Sequence, residues 1–310
     1  YFKKMKKIYL ILLLCFWSNT SFAKINIFTC LPEWSSLAQE IAQDKANIFS
    51  ATNHNEDPHY VQAKPSLIAK IRNADLVFCS GASLEEGWLP LLLQKTYKTS
   101  TKKGEIGYFM ASDFVEKLEV INDKSISRAM GHIHPQGNPH IHLNPHNIAK
   151  VAQEFTRRLK IIDPDNSEFF ENNYQEFSKK WQLSIKKWQK KAENLKKMPI
   201  IVQHNAWSYL IDWIDLDLVA QIEDKPGVSP SGKHLEKLID ISQNNKIDLI
   251  IYTSFEESRY ANWLSKKTGI KSIEAPFTIN KPRNINNLFD LFDAILSTLQ
   301  VYKSDQYKQK

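Results

Sequence analysis

Short apolar runs alternate with amphipathic stretches along almost the whole chain, and this alternation is the primary structural signal. Runs of strand length fall at 24–30, 47–52, 74–79 and 105–110, and again at 199–203, 217–222, 248–253 and 271–275. Between them, apolar residues recur at spacings of three and four over Trp34–Asp44, Ser66–Asn73, Ser83–Lys95, Asn147–Lys160, Ser231–Asn244 and Glu257–Thr268. That is the stripe of a helix with one buried face. Strand–helix–strand repetition predicts an α/β fold of two lobes, each with a parallel-type sheet flanked by helices.

One long helical pattern separates the two sets of strands. Over Ser167–Lys197, the residues Phe170, Tyr174, Phe177, Trp181, Ile185, Trp188, Ala192 and Leu195 make a single stripe, while Lys and Gln fill the other face. The preceding Asp163-Pro164-Asp165-Asn166-Ser167 supplies a stop and then a cap. At about 1.5 Å per residue such a helix is on the order of 45 Å long, enough to run the length of a two-lobed protein. A coiled-coil dimer is the competing reading. One stripe of mixed aromatics within an α/β chain favours packing across both lobes of its own molecule, and the expected state is a monomer. The expected layout is a leader at 1–23, an N-terminal lobe at 24–166, a linking helix at 167–197 and a C-terminal lobe at 198–310.

The 310 residues carry 41 Lys+Arg against 34 Asp+Glu, a net +7. Such a balance ordinarily points to nucleic acid or an anionic membrane. Location changes that picture. Lys3, Lys4, Lys6 and Lys7 precede the apolar run Ile8–Trp17 and a small-x-small end at Ser21-Phe22-Ala23, the three parts of a secretory signal peptide. The apolar run is shorter than the roughly 20 residues a spanning helix needs. Met5 is the expected start and Ala23 the expected cleavage point. Leu14 stands before Cys15 where lipid attachment wants a small residue, so a soluble exported protein is expected. Taking the four Lys from +7 leaves a mature chain near +3, without a basic surface that calls for nucleic acid. Export also permits disulfides. Cys30 and Cys79 each end a strand candidate, so a disulfide and two buried thiols are both open.

The nine His are unevenly placed. His59 follows the second strand candidate and His204 directly follows the fifth, while His132, His134, His140, His142 and His146 crowd one segment. Ligands collect beyond the carboxyl ends of parallel strands, so one His from each lobe predicts a site in the cleft between them. Imidazole is the commonest Zn²⁺ ligand and also suits Cu, Ni and Fe. Neither a P-loop pattern nor G-x-G-x-x-G is present.

Several segments taken together make a specific pattern. They are Glu56-Asp57-Pro58-His59 with Lys64-Pro65-Ser66, the run from Ala74 to Glu85, Gly137-Asn138-Pro139-His140-Ile141-His142-Leu143-Asn144-Pro145, the run from Val202 to Tyr209, and the Lys225-Pro226-Gly227 turn. On these the chain resembles the solute-binding proteins of bacterial zinc and manganese ABC importers, the ZnuA-like or cluster A-I family. The resemblance implies two α/β lobes on one backbone helix, a metal held between them, and a membrane permease as partner. It places His59, His140 and His204 at the three His ligand positions. His204 stands where manganese members often carry Glu, which favours Zn²⁺ as cargo over Mn²⁺.

The fourth ligand departs from the family pattern. Many members have Asp after the last strand, where this chain has Ala275. Glu274, His142, Glu56 or a water could complete a tetrahedron, with Glu56, Asp57 and Glu274 as neighbouring charges. The resemblance reads His132 and His134 as a shortened His-rich capture loop; an ordinary polar loop is the alternative. The implied function is periplasmic zinc capture for import, without enzymatic activity. The rival readings are a manganese-specific binding protein, a zinc-dependent hydrolase, and an exported adhesin or zinc-storage protein. No H-E-x-x-H motif supports the hydrolase.

Overall fold

The computed structural model describes residues 23–121 and 133–308. The expected leader at 1–23 lies almost wholly outside the described residues. Two four-stranded sheets, all parallel, make up the fold. The first holds β1 (Ile25–Thr29), β2 (Ala46–Ser50), β3 (Leu76–Cys79) and β4 (Tyr108–Met110) in the order β2-β1-β3-β4. The second holds β5 (Pro199–Val202), β6 (Asp217–Gln221), β7 (Leu249–Tyr252) and β8 (Ser272–Glu274) in the order β6-β5-β7-β8. The two sheets therefore share one topology. Each reverses its winding between its first and third strands, and such switch points open a crevice at the carboxyl edge.

The helices are α1 (Pro32–Ala42), α2 (Pro65–Arg72), α3 (Leu89–Leu93), α4 (Pro145–Ile162), α5 (Ser167–Ala192), α6 (Ser208–Ile214), α7 (Gly232–Asn244), α8 (Arg259–Thr268) and α9 (Leu288–Lys308). Among the described residues, no helix is long and apolar enough to cross a membrane. The α5 stripe is buried at Phe170, Phe177, Trp181, Ile185, Trp188 and Ala192, and it packs inside its own chain against α4, α1 and α9. Trp181 and Trp188 meet Phe292 of α9 at ring-centre distances of 5.6 and 4.9 Å. Polar ends of the same side chains fix the register: Trp181 Nε1 donates to the Pro145 carbonyl at 2.8 Å and Asn173 Nδ2 to that of Ile41 at 2.9 Å. Helix α9 is not among the sequence-predicted elements, although Leu288, Leu291, Phe292, Ile295, Leu296 and Leu299 have the spacing of a buried helical face.

A second departure lies after β3. The helix predicted at Ser83–Lys95 is reduced to the five residues of α3. Gly81, Ala82 and Ser83 all have positive φ (78°, 48° and 66°), a conformation that interrupts a right-handed helix and costs the two non-Gly residues about 1–2 kcal/mol each. A Cβ on Gly81 would lie 2.6 Å from Ser112 Oγ and 2.9 Å from Met110 Cβ, so glycine is required there. Glu85 holds the loop by accepting hydrogen bonds from Ser80 N (2.8 Å) and Gly81 N (3.0 Å). β4 is likewise shorter than its predicted 105–110, because the chain turns through Gly104–Gly107 before pairing with β3.

Cys30 and Cys79 are joined by a disulfide across the switch point of the first sheet. The carboxyl of Glu85 is buried and lies close to both sulfurs. Burial pushes its pKa up to about 7, against the opposing pull of the Ser80 and Gly81 amides. A carboxyl raised in the folded state stabilises fully below its ordinary value of 4.5, and that contribution is lost as pH rises through about 7. Wild-type stability is expected to fall by about 3 kcal/mol from this group between those limits. Glu85→Gln should flatten that slope, measured by urea unfolding at pH 5 and pH 8.

Candidate metal centre

His59, His140 and His204 come together at the carboxyl edges of the two sheets. Their candidate ligand atoms all lie within 4.8 Å of one another, and the ring centres are 6.0, 5.8 and 6.3 Å apart. All three rings are buried. In a tetrahedral zinc site the ligand nitrogens stand about 3.3 Å apart, at Zn–N distances of about 2.0–2.1 Å, so only a small inward movement separates this geometry from a coordinating one.

Each imidazole is aimed by a different local device. The Asp57 carboxylate accepts from the His59 backbone N–H at 2.9 Å and contacts His59 Nδ1 at 2.7 Å, while Trp88 Nε1 holds the Pro58 carbonyl at 2.9 Å. Glu223, two residues past β6, lies 2.7 Å from His204 Nδ1 through an oxygen that also accepts from Gly227 N. With Nδ1–H donated to a carboxylate, Nε2 is left as the electron-pair donor toward the cleft, an arrangement that raises its basicity. Asn138 organises the third imidazole, that of His140. Its Oδ1 accepts from His140 N at 3.1 Å, and its Nδ2 donates to the Asn205 carbonyl at 2.9 Å and to Ser208 Oγ at 3.1 Å. One side chain thereby ties the His140 segment to the turn that follows His204. His140 Nε2 is buried with no hydrogen-bond partner among the described residues.

The electrostatics divide the three rings. Burial lowers the pKa of His140 well below the ordinary 6.5, and the neighbouring His59, His204, His142 and His134 add to the effect. Burial also acts to lower His204, but the hydrogen bond and charge of Glu223, then the charges of Glu256 and Asp57, outweigh it and the net shift is upward. Glu256 follows β7 and is pushed up to about 7 by burial, with His204 opposing. Its Oε2 accepts from Thr253 N at 2.6 Å, whereas Oε1 is buried with no hydrogen-bond partner among the described residues.

Other sequence-selected residues lie elsewhere. Glu56 caps its own turn through Asn53 N and Nδ2. Glu274 pairs with Arg283 at 2.7 Å, and Ala275 is buried beside it. His142 turns to the Phe277 carbonyl and Glu33. His146 sits in the exposed first turn of α4 and His234 in the first turn of α7. His132 lies outside the described residues. His134 instead reaches the cluster, its Nε2 3.1 Å from that of His59. Sequence reasoning missed Glu223 and Glu256; their positions just past β6 and β7, in the manner of His204 past β5, are the signal that could have found them.

Paired parallel sheets bridged by a long helix, with buried imidazoles converging at their facing edges, define a two-lobed α/β protein with a site between its lobes. Residues 27–301 match the family described as zinc-uptake complex component A, periplasmic (ZnuA), and the chain belongs to that family. It is 28% identical over 267 residues to the zinc-binding lipoprotein AdcA of Streptococcus pneumoniae, a match covering 85% of this chain and 52% of that protein. The chain thus spans about half the length of that relative. It is 26% identical to the high-affinity zinc uptake system protein ZnuA of Bacillus subtilis, over 80% of this chain and 77% of that one. A manganese ABC transporter substrate-binding lipoprotein, PsaA of S. pneumoniae, is also 26% identical, over 84% and 82%. Among solved structures, a crystal structure of ZnuA superposes with TM-score 0.73 at 19% identity, covering 89% of this chain and 98% of that one. The Mn-bound periplasmic metal-binding protein of Candidatus Liberibacter asiaticus gives 0.72 at 21%, covering 90% and 100%. These superpositions share the fold.

Replacing Glu223 by Gln keeps an acceptor for His204 Nδ1 and removes the charge. Affinity for a metal held by these rings is expected to fall about 10–100-fold, measured by competition with a chelator. In the metal-free protein the same substitution should bring the His204 titration down in pH, read from its ring resonances by NMR.

Proposed function

We propose that this protein is the extracytoplasmic substrate-binding component of an ABC importer, which captures Zn²⁺ between its lobes and delivers it to a membrane permease. The observation that carries the reading is the convergence of His59, His140 and His204 from both halves of the chain. Family membership and relatives named for zinc binding and for zinc uptake support it. The layout supported is an N-terminal lobe over 24–166, the linking helix over 167–197 and a C-terminal lobe beyond, with the exported chain acting in the periplasm.

Donor chemistry favours zinc over manganese. Imidazole nitrogens suit Zn²⁺, while Mn²⁺ prefers carboxylate, carbonyl and water oxygens. His134 is the best-placed fourth donor, because it already stands against His59; it would close a site of four neutral nitrogens. The charge of the ion would then be balanced from behind by Asp57 and Glu223 through the rings they hold. Each ligand must be neutral to bind. A proton held on His204 by Glu223 competes with the metal, so affinity should weaken as pH falls through the raised range of that ring.

Titration of the mature chain with Zn²⁺ and Mn²⁺ tests the reading. One tight zinc per chain is expected, with much weaker manganese. His59→Ala, His140→Ala and His204→Ala should each lower zinc affinity by two orders of magnitude or more, on the order expected for losing a ligand. Tight one-to-one zinc binding that survives the triple substitution would sink the proposal, and tighter manganese than zinc would reassign the cargo.

A further inference from the structure

Two residues beyond His140, the ring of His142 faces away from the converging imidazoles and into a buried contact of its own. It lies in the 3-10 turn Ile141–Leu143. Its Nε2 is 3.0 Å from the Phe277 carbonyl, and a carbonyl can only accept, so Nε2 is the donor. Nδ1 is then an acceptor; it lies 3.3 Å from Glu33 Oε1 and makes no hydrogen bond among the described residues, so His142 is tied to this contact through Phe277. The Thr278 hydroxyl donates to the other Glu33 oxygen at 2.6 Å. Glu33 is 2% exposed, His142 0% and Thr278 8%.

The three residues come from three parts of the fold. Glu33 is in the first turn of α1, in the layer of the first sheet. His142 belongs to the segment that presents His140. Thr278 follows β8, at the edge of the second sheet, in the same loop as Ala275. The Phe277 ring fills the space between, 5.4 Å from the His140 ring and 5.0 Å from that of His142. A loop that offers no carboxylate to the cleft is thus tied by backbone and hydroxyl to the opposite lobe.

We propose that Glu33, His142 and Thr278 form an interlobe latch, and that Glu33 and Thr278 are positioning residues that slow release of the bound ion. The proposal rests on the metal-binding reading above. Separating the lobes pulls the β8 loop off α1 and strands a buried carboxylate without its donor, which is far costlier than never having made the bond. The latch touches none of the three converging imidazole nitrogens. It therefore acts on the lifetime of the closed, loaded protein rather than on capture.

Stopped-flow mixing of the zinc-loaded full chain with excess chelator tests this. Glu33→Leu and Thr278→Val are expected to speed release about tenfold, the effect of losing one charge-assisted hydrogen bond, with association rates unchanged. Thr278→Ser, which keeps the hydroxyl donor, should release at the wild-type rate, and Glu33→Gln, whose amide oxygen still accepts from Thr278 without the charge, should release more slowly than Glu33→Leu. Because both partners serve one contact, the Glu33→Leu/Thr278→Val double variant should be no faster than Glu33→Leu alone. Thr278→Val is the milder change and carries the test if Glu33→Leu does not fold. Wild-type release from Thr278→Val, or a double variant equal to the product of the singles, would overturn the latch. Failure of the wild-type chain to bind zinc at all would overturn the functional reading instead.

Discussion

The aromatic seam between α5 and α9 is the constraint on which the rest depends. Trp181 and Trp188 bury their rings against Phe289 and Phe292, and Trp188 and Lys191 both reach Asp293. Large aromatic rings bury more apolar area than any other side chain, so the last helix is held on the long helix that separates the two sheets. Contacts of α5 with α1 and α4 do the same for the first half of the chain. With both halves fixed on one rigid rod, the spacing between the carboxyl edges of the sheets is set far from the cleft. Only then can residues 59, 140 and 204 be brought to one place by strands that never pair with each other.

Bringing three imidazoles together in a buried space carries its own electrostatic cost, and the surrounding residues answer it unequally. His140 has neighbouring imidazoles and no carboxylate partner in its immediate hydrogen-bond set, and burial leaves it neutral. His59 and His204 each have a carboxylate on Nδ1. The result is one ring whose neutral form is favoured and one whose hold on a proton is strengthened. On the proposed function, the second ring couples cation capture to proton release and makes the site responsive to pH. Asn138, which bridges the segments carrying two of the rings, supplies orientation without charge and so leaves that division undisturbed.

Much of this was legible in the sequence, because it is local. All eight strands and the α5 stripe follow from apolar spacing alone, and His59 and His204 stand out by following strands. The helix predicted at Ser83–Lys95 failed for a reason that spacing cannot carry: three consecutive residues take left-handed φ because a buried Glu85 caps Ser80 and Gly81. The partners of His142 were equally hidden, since Glu33 and Thr278 are 245 positions apart and meet only once the lobes are assembled. The role of His134 shows the same limit, for its loop returns to His59 across 75 residues.

The edge of β8 ties these points together. The family resemblance puts an acidic residue there, and the chain has Ala275 instead, with Phe277 and Thr278 behind it. Charge that a ligating carboxylate would bring to the cleft is present instead one step back, on Asp57 and Glu223. A carboxylate bound directly to an ion lowers its net charge but competes with imidazole for position; one acting through a ring leaves the coordination shell all nitrogen. The β8 loop, relieved of coordination, is free to serve closure through Thr278. On the two proposals together, selectivity and retention come from different residues, the first from imidazoles backed by carboxylates and the second from the contact of Glu33 with Thr278. In a protein that must both hold an ion and hand it on, that separation lets the residence time change without altering which ion is preferred.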